Sequence, residues 1–357
     1  MPIRLRAPLS IAIGLASLLL LPAGAAKAAG PPAGFLGVVP QEVPSAADAA
    51  RMAGVVETER LVFSWAQLEP QPGQWDFTTV DAEVGEAASR GIHVLPVLYG
   101  SPAWVSTDPA EPPRGRAEEA AWGRFVRTVV GRYGPGGGFW AGDSPRLPIR
   151  RWQVWNEPNY VLFWRPHPDA RAYVRLLKRT AAAIRSVDTG ATVLAAGLAP
   201  LEAEPPPWDF LREMYEVPGA KRSFDVAALH PYASSAPGVE YEVLQTRRVM
   251  AAAGDARTPL QITEIGVASD GGRRGERRQA RFLTAAVGEL LANRRRWRIA
   301  GVDWFTWRDG TEDVAHCPFC RRAGLIRRDR SPKPAWRALK RLTGSLSRSG
   351  QGRGRGR

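Results

Sequence analysis

Two glutamates carry the clearest chemical signal in this sequence. Glu157 sits in Trp155-Asn156-Glu157-Pro158-Asn159, and Glu264 in Thr263-Glu264-Ile265-Gly266. Each closes a short apolar run that reads as a strand, so both carboxyls fall at strand ends. A carboxyl pair cleaves glycosidic bonds when one member is protonated and helps the leaving oxygen depart. The other must be ionised to attack the anomeric carbon. Their surroundings must hold two similar groups apart in pKa. Arg60, from a neighbouring strand, can keep Glu264 ionised, and the phenol of Tyr232 can donate to the same carboxylate. Glu157 has no cation beside it in sequence and adjoins Trp155 and Pro158, which favours its protonated form. His230 and Asn156 add an imidazole and an amide at other strand ends. Trp104, Trp164, Trp304 and Trp307 offer flat faces on which sugar rings stack. This chemistry calls for no metal and no organic cofactor.

Taken singly, each residue has a plainer reading. A strand-end glutamate is more often half of an ion pair, and Arg60 would be a buried salt-bridge partner. His230 would be a satisfied core imidazole, and the tryptophans core or surface filler. Tyr160, Phe163 and Trp164 are as readily loop packing as a platform for a glycan. The conjunction of these residues, each at the end of its own strand, carries the argument.

The elements that must position them alternate along the chain. Strands are predicted at Phe35–Val39, Glu59–Trp65, His93–Leu98, Arg151–Trp155, Thr192–Ala196, Asp225–His230, Leu260–Thr263 and Gly301–Thr306. Helices are predicted at Ser45–Ala53, Thr79–Arg90, Glu118–Tyr133, Asp169–Val187, Trp208–Tyr215, Tyr241–Ala253, Glu276–Asn293 and Pro334–Leu342. In Asp169–Val187 the residues Tyr173, Leu177, Ala181 and Ile184 recur at helical spacing, as one buried stripe requires. Eight strands alternating with helices in one domain predict a (β/α)8 TIM barrel, whose reactive groups gather at the carboxyl ends of the strands. A doubly wound open sheet would announce a Gly-rich phosphate turn after its first strand, and Gly37-Val38-Val39-Pro40 is not one.

Residues 1–29 read as a secretory signal peptide. Arg4 and Arg6 precede an apolar run from Ile11 to Leu21, followed by small residues around Ala26–Ala29. An uncleaved anchor is the alternative, although the run is short for a span of roughly 20 residues. The barrel is expected over 30–344, and 345–357 as a disordered basic tail. The formal charge is +14. Nine cationic side chains fall in the leader and the terminal segment, leaving a domain of about +5. The tail suits electrostatic contact with an anionic cell surface, or no partner at all. Export argues against nucleic acid as a partner. The expected species is a secreted monomer acting on an oligo- or polysaccharide. Cys317 and Cys320, the only cysteines, are placed for a disulfide in the loop after the eighth strand. Zinc would lack a fourth ligand beside His316, and a thioredoxin-type motif would open a helix after an early strand.

These motifs resemble the clan A glycoside hydrolases over Phe35 to about Leu342. Phe63-Ser64-Trp65-Ala66-Gln67-Leu68-Glu69-Pro70, Gly73-Gln74-Trp75-Asp76-Phe77 and the Glu157 turn look most like family 39, with family 5 next. The resemblance implies a retaining mechanism with Glu157 as acid/base and Glu264 as nucleophile. It implies that Asn156 binds the sugar 2-hydroxyl and that Arg60 and Tyr232 support the nucleophile. It further implies that His230 lies near the acid/base, with Trp304 or Trp307 flooring the reacting subsite. The chain is too short for the accessory β-sandwich of that family's xylosidases. A transglycosylase with the same residues, and a non-catalytic glycan-binding barrel, are the rival readings.

Overall fold

The computed structural model describes residues 34–142, 144–200, 205–310 and 317–351, with side chains through residue 344. Eight parallel strands close into a barrel in chain order: β1 (Leu36–Val39), β2 (Thr58–Ser64), β3 (His93–Tyr99), β4 (Arg151–Val154), β5 (Thr192–Leu198), β6 (Val226–Leu229), β7 (Leu260–Ile265) and β8 (Ile299–Phe305). The helices are α1 (Ala46–Met52), α2 (Trp65–Leu68), α3 (Thr78–Ser89), α4 (Arg116–Tyr133), α5 (Ala170–Val187), α6 (Pro207–Glu216), α7 (Ala236–Ala252), α8 (Gly272–Ala292) and α9 (Pro334–Gln351). The predicted (β/α)8 barrel is therefore the observed fold.

Local chemistry sets the element ends. Asp169 caps α5, its carboxylate accepting from the Ala172 N–H at 2.8 Å, a contact typically worth about 1 kcal/mol. The helix then buries Tyr173, Val174, Leu177, Ala181 and Ile184 against the barrel wall. Helix α7 begins five residues before the expected Tyr241, because Ser235 caps Gly238 and Pro237 sits where a helix needs no N–H. The short α2, capped by Ser64, was not expected. Helix α9 continues from the expected end at Leu342 to Gln351, into the segment expected to be a tail, since no proline interrupts it. The leader 1–29 and residues 352–357 lie outside the described residues.

The main core fills the space between strands and helices, with Phe63, Trp65, Trp122, Tyr133, Trp152 and Tyr173 fully buried. Inside the barrel a small apolar cluster of Leu95, Leu194 and Val226 forms one layer. Polar side chains form the rest: Arg60, Gln153, Thr263, Gln261, Asp303 and His230 are all buried. Gly37 makes room for Asp303, since a Cβ there would overlap its carboxylate. This polar interior forms the floor on which the site is built.

Candidate active site

The turn after β4 aims Glu157 inward by a rare backbone path. Trp155 has φ 69° and Glu157 φ 38°, conformations that usually cost non-glycine residues on the order of 1–3 kcal/mol. Packing over-determines the turn. Trp155 is buried among Tyr99, Trp122 and Trp164, and its indole N–H donates to the Phe163 carbonyl at 2.7 Å. The Glu157 N–H donates to Gly197 O at 3.2 Å. Asn159 locks the far side, bonding both the N–H and the carbonyl of Ala199.

Glu264 is held by a cation and a phenol. Arg60 Nη1 lies 2.5 Å from its Oε1, and Tyr232 donates to its Oε2 at 2.6 Å. The same guanidinium donates from Nε to Gln153 Oε1 at 2.7 Å and from Nη2 to Asn156 Oδ1 at 2.8 Å. Because the amide oxygen of Asn156 is committed to Arg60, its N–H donors are turned to the other side. One guanidinium thus ties β2, β4 and β7 together beneath the reacting groups.

His230 bridges the two carboxyls. Its Nδ1 is 2.6 Å from Glu157 Oε1 and 3.8 Å from Glu264 Oε2, while Nε2 is 3.0 Å from Thr263 Oγ1. A protonated Glu157 donates to Nδ1; an ionised one accepts from it, so the pair can carry one proton either way. Gly197 permits this placement, since a Cβ there would overlap the imidazole.

The electrostatics separate the two glutamates. Burial is the main influence on Glu157 and pushes it above the ordinary carboxylate range, with the charge of Glu264 adding to the rise. His230 and Arg60 offset only part of this. Burial also opposes ionisation of Glu264, but His230, Arg60 and the Tyr232 hydrogen bond together outweigh it. They hold Glu264 below its usual value. One carboxyl is therefore biased toward acid and the other toward carboxylate. Ligand atoms of Glu157, His230 and Glu264 all lie within 4.8 Å of one another, close enough to share an ion. Arg60 and Tyr232 already donate to the two oxygens of Glu264, which meets the carboxylate's charge from within the protein.

The structure brings Glu157, Glu264, Asn156, Arg60, His230 and Tyr232 into one hydrogen-bonded constellation. The predicted tryptophans fall elsewhere. Trp304 is buried against Phe282 of α8, and Trp307 against Trp336 of α9, so neither floors the site. Strand alternation explains the first, because Asp303 faces the barrel interior and Trp304 must face the helices; Trp307 lies past the end of β8 at Phe305. The half-buried ring that meets Tyr232 is Phe305, at 6.3 Å and 88°; the Phe305–Thr306 peptide is cis. Trp164 is 1% exposed and packs on Trp155 and Tyr173, as loop packing requires. Trp104 is half-buried, edge-on to Trp65, and donates to the Glu69 carbonyl at 3.0 Å. Cys317 and Cys320 form the expected disulfide.

Sequence reasoning missed Gln153, Gly197, Phe305 and the supporting part of Thr263. Gln153 was detectable: Arg151 and Gln153 are polar residues at alternate positions of an apolar strand, which places them on one face. Gly197 and Phe305 left no such trace.

Comparisons with known proteins bear on the fold. A glycoside hydrolase family 42 model, described as beta-galactosidase, matches residues 41–116. No curated protein sequence matches the chain. Among solved structures, a family 39 glycoside hydrolase from Bacteroides cellulosilyticus WH2 superposes with a TM-score of 0.66 at 22% identity. The match covers 89% of this chain and 64% of that one. A monomeric beta-xylosidase from Caulobacter crescentus CB15 gives 0.65 at 21% identity, covering 88% and 69%. A family 5, subfamily 18 structure from Streptomyces cattleya, in complex with GlcNAc, gives 0.68 at 19% identity, covering 90% and 81% of the two chains. This chain thus spans about two thirds of the length of the first two. The chain shares the barrel fold of these structures.

Proposed function

We propose that the chain is a retaining glycoside hydrolase acting on a β-linked glycan outside the cell. The observation that carries this reading is a buried carboxyl pair, within 4.8 Å through its nearest ligand atoms, whose members are pushed in opposite pKa directions. Retaining sites keep their carboxyls about 5–5.5 Å apart, whereas inverting sites leave roughly 6.5–9.5 Å for a water. An approach this close between carboxyl oxygens, with Arg60 and Tyr232 aiming Glu264, is what attack by Glu264 itself requires.

In the first step Glu157 gives its proton to the leaving oxygen while Glu264 forms a glycosyl ester. Arg60 and Tyr232 hold Glu264 ionised and aimed. In the second, Glu157 takes a proton from water, which attacks the ester and releases the sugar with its original configuration. His230 accompanies Glu157 through both protonation states. Asn156, oriented by Arg60, offers its amide to the sugar 2-hydroxyl. A binding module would gain nothing from two desolvated carboxyls, so the non-catalytic reading is the poorer one. The composition of residues 1–29 supports export.

Glu264→Ala should abolish turnover on every substrate. Glu157→Ala should still release nitrophenolate, a good leaving group, while natural glycans stay uncut. General acid help is worth roughly 10²–10⁴-fold. Azide should rescue Glu157→Ala and give a β-glycosyl azide; an α-azide, or equal losses in both variants on both substrates, would refute double displacement. Amino-terminal sequencing of exported protein tests the leader, which is wrong if Met1 is retained.

A further inference from the structure

The loop after β8 places an aromatic ring against the support of the nucleophile. A short 3-10 turn, Pro318–Arg322, overlaps the Cys317–Cys320 disulfide and presents Phe319. That ring stacks on Phe305 at 5.8 Å and 13°, and meets Tyr232 edge-on at 5.5 Å and 83°. Phe305 also meets Tyr232 edge-on, so two parallel rings fix the orientation of one phenol. Tyr232 in turn donates to Glu264 at 2.6 Å. Gly266, two residues past Glu264, leaves space for the Phe305 carbonyl, which a Cβ there would meet at 2.0 Å, and Phe319 Cζ lies in ordinary contact range of the same position at 3.6 Å.

The loop is anchored on one side of this ring. The Cys320 carbonyl accepts from the Gly310 N–H at 3.1 Å, and the Arg322 carbonyl from the Ser269 N–H at 2.9 Å and Lys333 Nζ at 3.0 Å. Cys320 itself is buried. The covalent bridge extends that anchorage back across Phe319 to Cys317. No part of the reaction described above uses Phe319 or the disulfide.

We propose that Phe319 is a positioning residue for Glu264, acting through Tyr232, and that the Cys317–Cys320 disulfide holds it in place. The kinetic side of this inference rests on the hydrolase reading; the titration of Glu264 does not. Without Phe319 one side of the Tyr232 ring is open, and the phenol spends part of its time turned from the carboxylate. A buried carboxylate that loses a donor becomes easier to protonate. Reduction by an external dithiol should act the same way. The dithiol supplies two electrons and two protons, Cys317 and Cys320 become thiols, and the reagent's sulfurs form its own disulfide.

The test follows Glu264 by NMR in protein labelled with ¹³C at the glutamate carboxyls, assigned with Glu264→Gln. Phe319→Ala should move its titration upward by about half a pH unit to one, the scale of one hydrogen bond. Phe319→Tyr should stay near wild type. In a Tyr232→Phe background, Phe319→Ala should add almost nothing. Reduction of the wild-type protein should raise the titration, and reoxidation should restore it. On a nitrophenyl glycoside the acid limb of kcat/KM should move with the titration. An unmoved Glu264 in folded Phe319→Ala overturns the proposal, as does an equal shift with Tyr232 absent. If that variant fails to fold, reduction of the wild type decides alone. Wild-type protein that cleaves no glycoside would refute the hydrolase reading, and the NMR result would still decide this one.

Discussion

Replacing Arg60 with methionine removes the cation and keeps a side chain of similar reach. Arg60 and Glu264 are 3% and 10% exposed and 2.5 Å apart, so the pair has little solvent to fall back on. Breaking one side of a buried pair costs roughly 3–5 kcal/mol. At about 1.4 kcal/mol per pH unit, that is enough to raise the Glu264 pKa by about two to three units. The nucleophile, held below the ordinary range in the wild type, would then titrate well above its wild-type position. On the acid limb each unit of that rise lowers the carboxylate fraction about tenfold, with a matching loss in kcat/KM. A nitrophenyl glycoside is the right substrate, because its leaving group needs little help from Glu157. Activity should return as the pH rises past the new value, and the acid limb should move upward by the same two to three units. Stability adds a second measure. Glu264, with its lowered pKa, stabilises the fold above the unfolded carboxylate range and loses that contribution as pH falls through its folded value. Arg60→Met should therefore destabilise most near pH 7 and least near pH 3. A pH-independent loss of activity with the acid limb in place would refute the assigned role of Arg60.

Three further outcomes follow from the same physics. Gly197→Ala should displace His230 from Glu157 and Thr263, lowering kcat/KM on a glycan by at least about 10² with a smaller loss on the nitrophenyl substrate; equal losses would argue against a role in proton handling. Glu59 is buried without a partner for its Oε1 among the described residues, and burial, with Glu83, Glu86 and Asp48 adding to it, raises its pKa to about 8. Its folded state keeps the proton, so stability should fall as pH rises from the ordinary carboxylate range to about 8; calorimetry of Glu59→Gln should show that slope reduced. Converting Cys317 and Cys320 to serine should cost at most about 2 kcal/mol, since the closed loop is short, and leave cooperative unfolding intact. Loss of the cooperative transition would show that the bridge holds more than its loop.

The eight-fold alternation of strand and helix was legible because each element repeats a local pattern. Apolar residues recur at helical spacing in α5, and β3 and β5 are short apolar runs. The two glutamates were legible for a related reason: strand ends in a barrel share one rim, so position along the chain implies proximity in space. That rule brought Glu157, Glu264, Arg60, His230 and Tyr232 together correctly without any measured distance.

Direction within the rim was another matter. Which of Trp304 and Phe305 faces the site depends on the pleat of β8, whose Asp303 lies beside Gly37 of the adjacent strand β1. A shift of one residue turns a ring from the cavity to the helix layer, and composition favours the larger tryptophans that are in fact buried outside. Gly197 owes its importance to His230 on the next strand, and Phe319 owes its own to Tyr232 and Phe305, both distant in sequence. The opposed pKa directions of Glu157 and Glu264 likewise arise from burial and from neighbours on other strands. Local periodicity and residue type were enough to identify the barrel and the charged and polar groups that meet at Glu157 and Glu264, but not the aromatic ring beside them. Orientation and ionisation depend on contacts between strands, and those exist only once the barrel has closed.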